Sequence, residues 1–210
     1  MYKTIKESIC TQIVEKKSKF IANLFYVENV KEAEQILQDI KKKYYDARHS
    51  CYAYNIKYKD SIIFKSSDDG EPAGTAGAPM LNILKKNELY NVLIIVTRYF
   101  GGILLGTGGL VKAYSEATIK AIEKARIITQ EDGLEIKFEL TYNDFEKFKI
   151  YCNKNLLNII NSEYGEKVNC IIEANEEEKN RIINNINNLN FKIDDYKILK
   201  NKKIQKSTEK

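Results

Sequence analysis

Five of the ten glycines in this chain, Gly101, Gly102, Gly106, Gly108 and Gly109, fall within nine residues, directly after the continuous apolar run Tyr90 to Arg98. Glycine loses more backbone freedom on folding than any other residue, so such a cluster requires positive φ angles or a close approach of the backbone to something else. The run before it reads as a central strand, and Leu110 to Ala125 reads as a helix. A glycine-rich turn between strand and helix leaves N–H groups unpaired beside the positive end of the helix dipole, which together make an anion site. Arg98 before the turn and Lys112 in the first helical turn add positive charge. The candidate anion-binding set is therefore Arg98, Gly101, Gly102, Gly106, Thr107, Gly108, Gly109 and Lys112. The spacing fits neither a P-loop nor a dinucleotide fingerprint, and tight backbone packing stays open as the other explanation.

Upstream, Thr4 to Val14 and Lys19 to Val27 alternate with the period of two expected of strands. A helix follows, capped by Asn29 with Glu32 three residues on, and ending at Lys41 to Lys43 where the dipole favours cations. Ser50 to Tyr58 and Ser61 to Ser66 read as strands joined by a turn at Lys59 and Asp60. A loop with both prolines of the chain separates them from a short helix over Met80 to Asn87. From about residue 130 the order becomes strand (Leu134 to Tyr142), helix (Asp144 to Asn155), strand (Leu157 to Ser162), strand (Lys167 to Ala174), helix (Glu176 to Leu189), strand (Phe191 to Leu199). That is the β-α-β-β-α-β order of a ferredoxin-like domain. The expected organisation is a first domain over 1–129, a second over 133–200, and a frayed basic tail over 201–210.

Charge divides the chain in the same way. Residues 1–130 carry 20 Lys/Arg against 14 Asp/Glu, whereas residues 131–199 carry 9 against 14. A basic first half suits an anionic partner, and the acidic second half resists spreading over the same surface. No stretch is long and apolar enough to span a membrane, and the first residues lack a signal-peptide core, so a cytoplasmic protein is expected. Cys10, Cys51, Cys152 and Cys170 are far apart and His49 is the one histidine, so neither a zinc site nor a disulfide framework can be written. No metal and no cofactor is expected.

Two smaller constellations remain. Asp68, Asp69 and Glu71 lie within four residues, yet in a loop rich in Asp, Gly and Pro such carboxylates more often cap backbone amides than hold metal. A candidate loop site is kept at Asp69, Glu71 and Thr75. His49 and Cys51 share one face of a strand, but same-face neighbours sit roughly 6 to 7 Å apart, too far for a catalytic hydrogen bond. Cys51 is expected in the core, with His49 a surface or loop-bonding residue.

Three segments in order, Ala47-Arg48-His49-Ser50-Cys51-Tyr52-Ala53-Tyr54, Asp69-Gly70-Glu71-Pro72 through Met80, and Val96-Thr97-Arg98-Tyr99-Phe100-Gly101-Gly102 through Tyr114, resemble the YigZ/IMPACT family. The resemblance implies an α+β protein of two domains: a β/α domain like the fourth domain of elongation factor G (ribosomal-protein-S5-domain-2-like), then a ferredoxin-like domain. It adds Arg48 and His49 to the candidate binding surface. Leu104 and Ala78 depart from the pattern, standing where many members have lysine and arginine. Eukaryotic members regulate translation initiation through protein partners. The resulting expectation is a non-catalytic protein that binds RNA, the ribosome or a translation-related protein. Two alternatives stay open: an enzyme holding a nucleotide or phosphometabolite on the glycine-rich loop, and a protein-interaction adaptor.

Overall fold

The computed structural model describes residues 1–58, 61–184 and 189–206, and falls into two compact units that divide between Ile128 and Thr129. The expected turn at Lys59 and Asp60, and the end of the second-unit helix expected to run to Leu189, lie at or within the residues outside that description.

In the first unit, β1 (Tyr2–Ile5), β2 (Ile9–Glu15), β3 (Ser18–Tyr26), α1 (Val30–Lys43), β4 (His49–Tyr58), β5 (Ser61–Ser67), α2 (Gly77–Lys86), β6 (Val92–Tyr99) and α3 (Gly106–Lys124) follow in order. One sheet runs β2-β3-β6-β4-β5, each neighbouring pair antiparallel. Its centre is β6, whose apolar run hides a period of two. Leu93 and Ile95 pack with Ala33 and Ile40 of α1, whereas Val92, Ile94 and Val96 pack with Met80 and Leu84 of α2 and Leu110, Tyr114 and Ala117 of α3. Helices on both faces are why the strand shows no polar alternation.

The cap of α1 forms as its residues dictate: Asn29 Oδ1 accepts from the Glu32 amide at 3.0 Å, and Glu32 Oε2 accepts from the Glu28 amide at 2.8 Å. The strand expected over Thr4 to Val14 is two strands, broken where the Lys6 amide turns away to donate to Arg126 O at 2.9 Å. The third helix begins at Gly106, four residues before the expected Leu110, so three of the five clustered glycines lie inside it.

The second unit contains β7 (Ile127–Leu140, whose first two residues fall in the first unit), α4 (Tyr142–Lys154), β8 (Asn158–Tyr164), β9 (Val168–Ala174), α5 (Glu176–Asn184) and β10 (Asp195–Lys206). Its strands run β10-β7-β9-β8, all pairs antiparallel, and with α4 and α5 this is a ferredoxin-like arrangement. Phe138, Phe145, Phe148, Ile172, Ile182 and Phe191 form its core. The basic segment expected to fray is instead strand as far as Lys206, paired along β7 down to Thr129. Two features hold it there. Ile204 is buried against Gly133, where a Cβ would lie 2.6 Å from its Cδ1, and Lys202 donates to Glu135 Oε1 at 3.0 Å. Charge suggested solvation, but these lysines answer carboxylates on neighbouring strands.

Candidate functional site

Three segments distant in sequence converge at the end of β6. Register sets Arg98 opposite Phe20 on one side and His49 on the other. The Arg98 guanidinium turns inward, donating from Nη1 to Glu71 Oε1 at 2.8 Å and Oε2 at 3.1 Å. The pair is buried, its side chains 8% and 4% exposed, and the Tyr114 hydroxyl of α3 donates to Glu71 Oε1 at 2.8 Å. Phe20 and Phe100 rings flank the guanidinium at 5.5 and 5.6 Å. Burial, with Cys51 and Glu71 close by, pushes the Tyr114 phenol far above its ordinary range, so it stays a donor. Arg98 thus carries a charge already answered by Glu71, and its part is to tie the loop of residues 68–76 to the sheet.

That loop closes on itself. Burial raises the pKa of Asp68, yet amides of Gly74, Gly77 and Ala76 at 2.8 to 2.9 Å hold its carboxyl below its ordinary value. Asp69 accepts from Lys41 Nζ at 2.6 Å and from the Ser50 amide at 2.7 Å. Thr75 is buried and donates to Pro72 O at 2.7 Å. All three carboxylates are committed to protein donors, so Asp69 and Glu71 offer no ready ligands to a nucleotide-borne cation. His49 Nδ1 lies 2.9 Å from Asp69 O, and the Cys51 thiol donates to Asp68 O at 3.0 Å. Burial, aided by three nearby carboxylates, pushes the Cys51 thiol up to about 12, which removes it as a nucleophile at neutral pH.

The glycine-rich segment does the opposite. Gly101 is pinned: its amide donates to Ser18 Oγ at 3.1 Å, and a Cβ there would lie 2.0 Å from the carbonyl carbon of Lys17. Beyond it, Gly102 and Gly106 have φ of +84° and +72°, values that glycine adopts without strain. Among the described residues, no acceptor pairs with the amides of residues 102–108, and all of these but Leu105 are at least partly open to solvent. They lead into a helix of 19 residues with no side-chain cap and no acidic residue in its first turn. Lys112 is exposed on that helix.

Beside the segment lies an open groove of about 680 Å³, lined by Asp46, Arg48, His49, Tyr99, Phe100 and Leu104 together with Arg98. The structure therefore joins Arg48, His49 and Arg98 in one groove and leaves Asp69, Glu71 and Thr75 as the frame behind it. The Tyr99 hydroxyl donates to Asp46 Oδ1 at 2.7 Å, and that bond with burial raises its pKa to about 12.

Residues outside the sequence-based set also belong here. Lys16 and Lys17 form the two-residue turn between β2 and β3, both with positive φ (44° and 63°), and Lys17 backbone abuts Gly101. Such turns favour Asn-Gly, so two lysines in left-handed conformation are held at a conformational cost, with their side chains exposed. A Lys-Lys pair between two alternating strands was the available signal. Ser18 and Tyr114 gave none, since their roles depend on partners 83 and 43 residues away.

Residues 16–122 match the family described as the Impact N-terminal domain. The IMPACT family member YvyE of Bacillus subtilis is 46% identical over 127 residues, 60% of this chain and 58% of that protein. The IMPACT family member YigZ of Escherichia coli is 37% identical over 150 residues, 71% of this chain and 74% of its own. A crystal structure of a hypothetical protein superposes over 91% of this chain and 95% of its own, with a TM-score of 0.62 at 29% identity.

Proposed function

The chain belongs to the IMPACT family, and we propose that it is a binding protein of translation, not an enzyme, whose first unit takes an RNA phosphate backbone between Lys17 and Lys112. One observation carries this reading: the amides of residues 102–108 meet no acceptor among the described residues, at the start of a helix without a side-chain cap. Unpaired N–H groups together with the helix dipole favour phosphate oxygens. Arg48, Lys16, Lys17 and Lys112 are exposed cations of the same unit and add the long-range attraction that polyanions require. Leu104, where the family pattern has a lysine, lessens that attraction and does not remove it.

The test is fluorescence anisotropy with a short labelled single-stranded RNA, repeated with purified ribosomes, across a salt series. Binding at low salt should weaken along a straight line in log K against log salt, by about 0.7 per phosphate contact. Arg48→Glu and Lys17→Glu should each lower affinity and reduce the slope by roughly 1. Absence of binding at low salt, or variants that bind like the parent, would overturn the reading.

A protein partner is the second reading, favoured by one feature. Phe100, Ile103 and Leu104, in the same segment, are 56%, 43% and 82% exposed. Apolar side chains held out around unpaired amides suit a protein surface, as the eukaryotic members of the family would suggest. Capture of a translation protein that survives nuclease treatment, and is lost with Leu104→Glu, would favour it over RNA.

A further inference from the structure

The two edges of the first sheet are finished differently. At β2, the Lys120 ammonium of α3 reaches over to donate to Gln12 O at 3.1 Å, so a side chain already occupies an outward carbonyl of that edge. At β5, the outer end is covered, because Gly77 of α2 packs so closely on Ser67 that a Cβ would lie 2.7 Å from its amide nitrogen. Along residues 61–66 no such cover exists among the described residues. The side chains there are Ile62, Ile63 and Phe64, exposed by 50%, 40% and 53%. An apolar edge strand with open main-chain groups is a template for another strand.

Pairing with β4 sets which way these side chains face. Ile63 lies opposite Ile56, which packs towards α1, and Phe64 lies opposite Asn55 on the other face, where Lys85 of α2 sits over its ring at 3.5 Å. Ile62 shares that second face. An antiparallel copy of the strand, placed on a two-fold axis through Ile63, sets Ile63 against Ile63, Ile62 against Phe64, and Ser61 against Lys65. Every exposed apolar side chain then meets an apolar one, and the lysine meets a hydroxyl, so no like charges oppose each other across the pair. Isologous contacts of this kind are what a closed two-fold dimer requires.

We propose that β5 is a dimerisation edge at which two copies of this chain join their first-unit sheets antiparallel about Ile63. The occupant is a second copy, because the strand complements itself in charge and in apolar pattern. The dimer leaves the groove at Arg48 and the glycine segment out of the joined edge, so it stands apart from the RNA reading.

Sedimentation velocity of the full chain over a hundredfold range of concentration tests this. The wild type should pass from monomer to dimer as concentration rises. Ile63→Lys, which sets two ammonium groups on the axis, should stay monomeric at the highest concentration, as should Ile63→Glu. Mixing the two variants should restore a dimer, since the lysine of one then faces the glutamate of the other. Circular dichroism melting of each variant establishes that it is folded, and the mixture supplies the readout that a folding defect cannot imitate. A wild type that remains monomeric throughout, variants that dimerise as well as the parent, or a mixture that stays monomeric would each overturn the proposal; a monomeric wild type would leave the edge to an extended segment of another protein.

Discussion

The loop of residues 68–76 and the segment of residues 100–109 are both rich in glycine, and they end in opposite states. In the first, Asp68 alone accepts three backbone amides, and Glu71 binds a buried arginine. In the second, which has no acidic residue at all, the amides of residues 102–108 meet no acceptor among the described residues. The lesson concerns acceptors. A loop that carries its own carboxylates answers its own N–H groups and becomes a staple, whereas one without them leaves its donors for water or a ligand.

The largest effect expected from breaking this contrast comes from the staple. Glu71→Ala strands the buried Arg98 charge and should lower stability by about 3 to 5 kcal/mol in urea denaturation, and adding Arg98→Met should recover part of that loss. Next is Gly101→Ala, where a Cβ within 2.0 Å of Lys17 backbone forces the segment off the β2–β3 turn; the expected loss is about 3 kcal/mol. Asp68→Asn should cost about 2 kcal/mol by weakening charge-assisted bonds. Since the folded carboxyl of Asp68 titrates below its ordinary 3.8, its contribution is present above that value and fades as pH falls below it. The Asn variant should therefore show a flatter loss of stability in acid.

Smaller changes sharpen the other side. Replacing Lys16-Lys17 with Asn-Gly relieves two left-handed residues and should stabilise the chain by about 1 kcal/mol, while weakening RNA binding in the anisotropy assay. Gly108→Ala adds a Cβ that meets nothing within 4 Å inside a helix, and should stabilise by about 0.5 to 1 kcal/mol. Opposite signs at Gly101 and Gly108 would separate a glycine kept for packing from one kept for an open surface.

Much of this architecture was legible beforehand. The strand of β3, the Asn29 cap, and the β-α-β-β-α-β order of the second unit arise from neighbours in sequence and formed, although β3 is buried on both faces and the last strand begins at Asp195, not at Phe191. What misled was charge. Lysines at 202 and 203 read as a solvated tail, yet pair with Glu135 and Asp132 on β7. Arg98 read as a cation for a ligand, yet spends its charge on Glu71, 27 residues away.

By itself, then, the sequence determined most of the elements and their order. It did so because helix and strand periodicity, caps and glycine requirements act over a few residues. Only the tertiary structure decided which charges remain available, since that depends on which acceptor lies opposite each donor once strands from distant segments are in register. The same reasoning applies to Lys17 beside Gly101 and to the open edge of β5: both are relations between strands, and no local pattern of side chains encodes them.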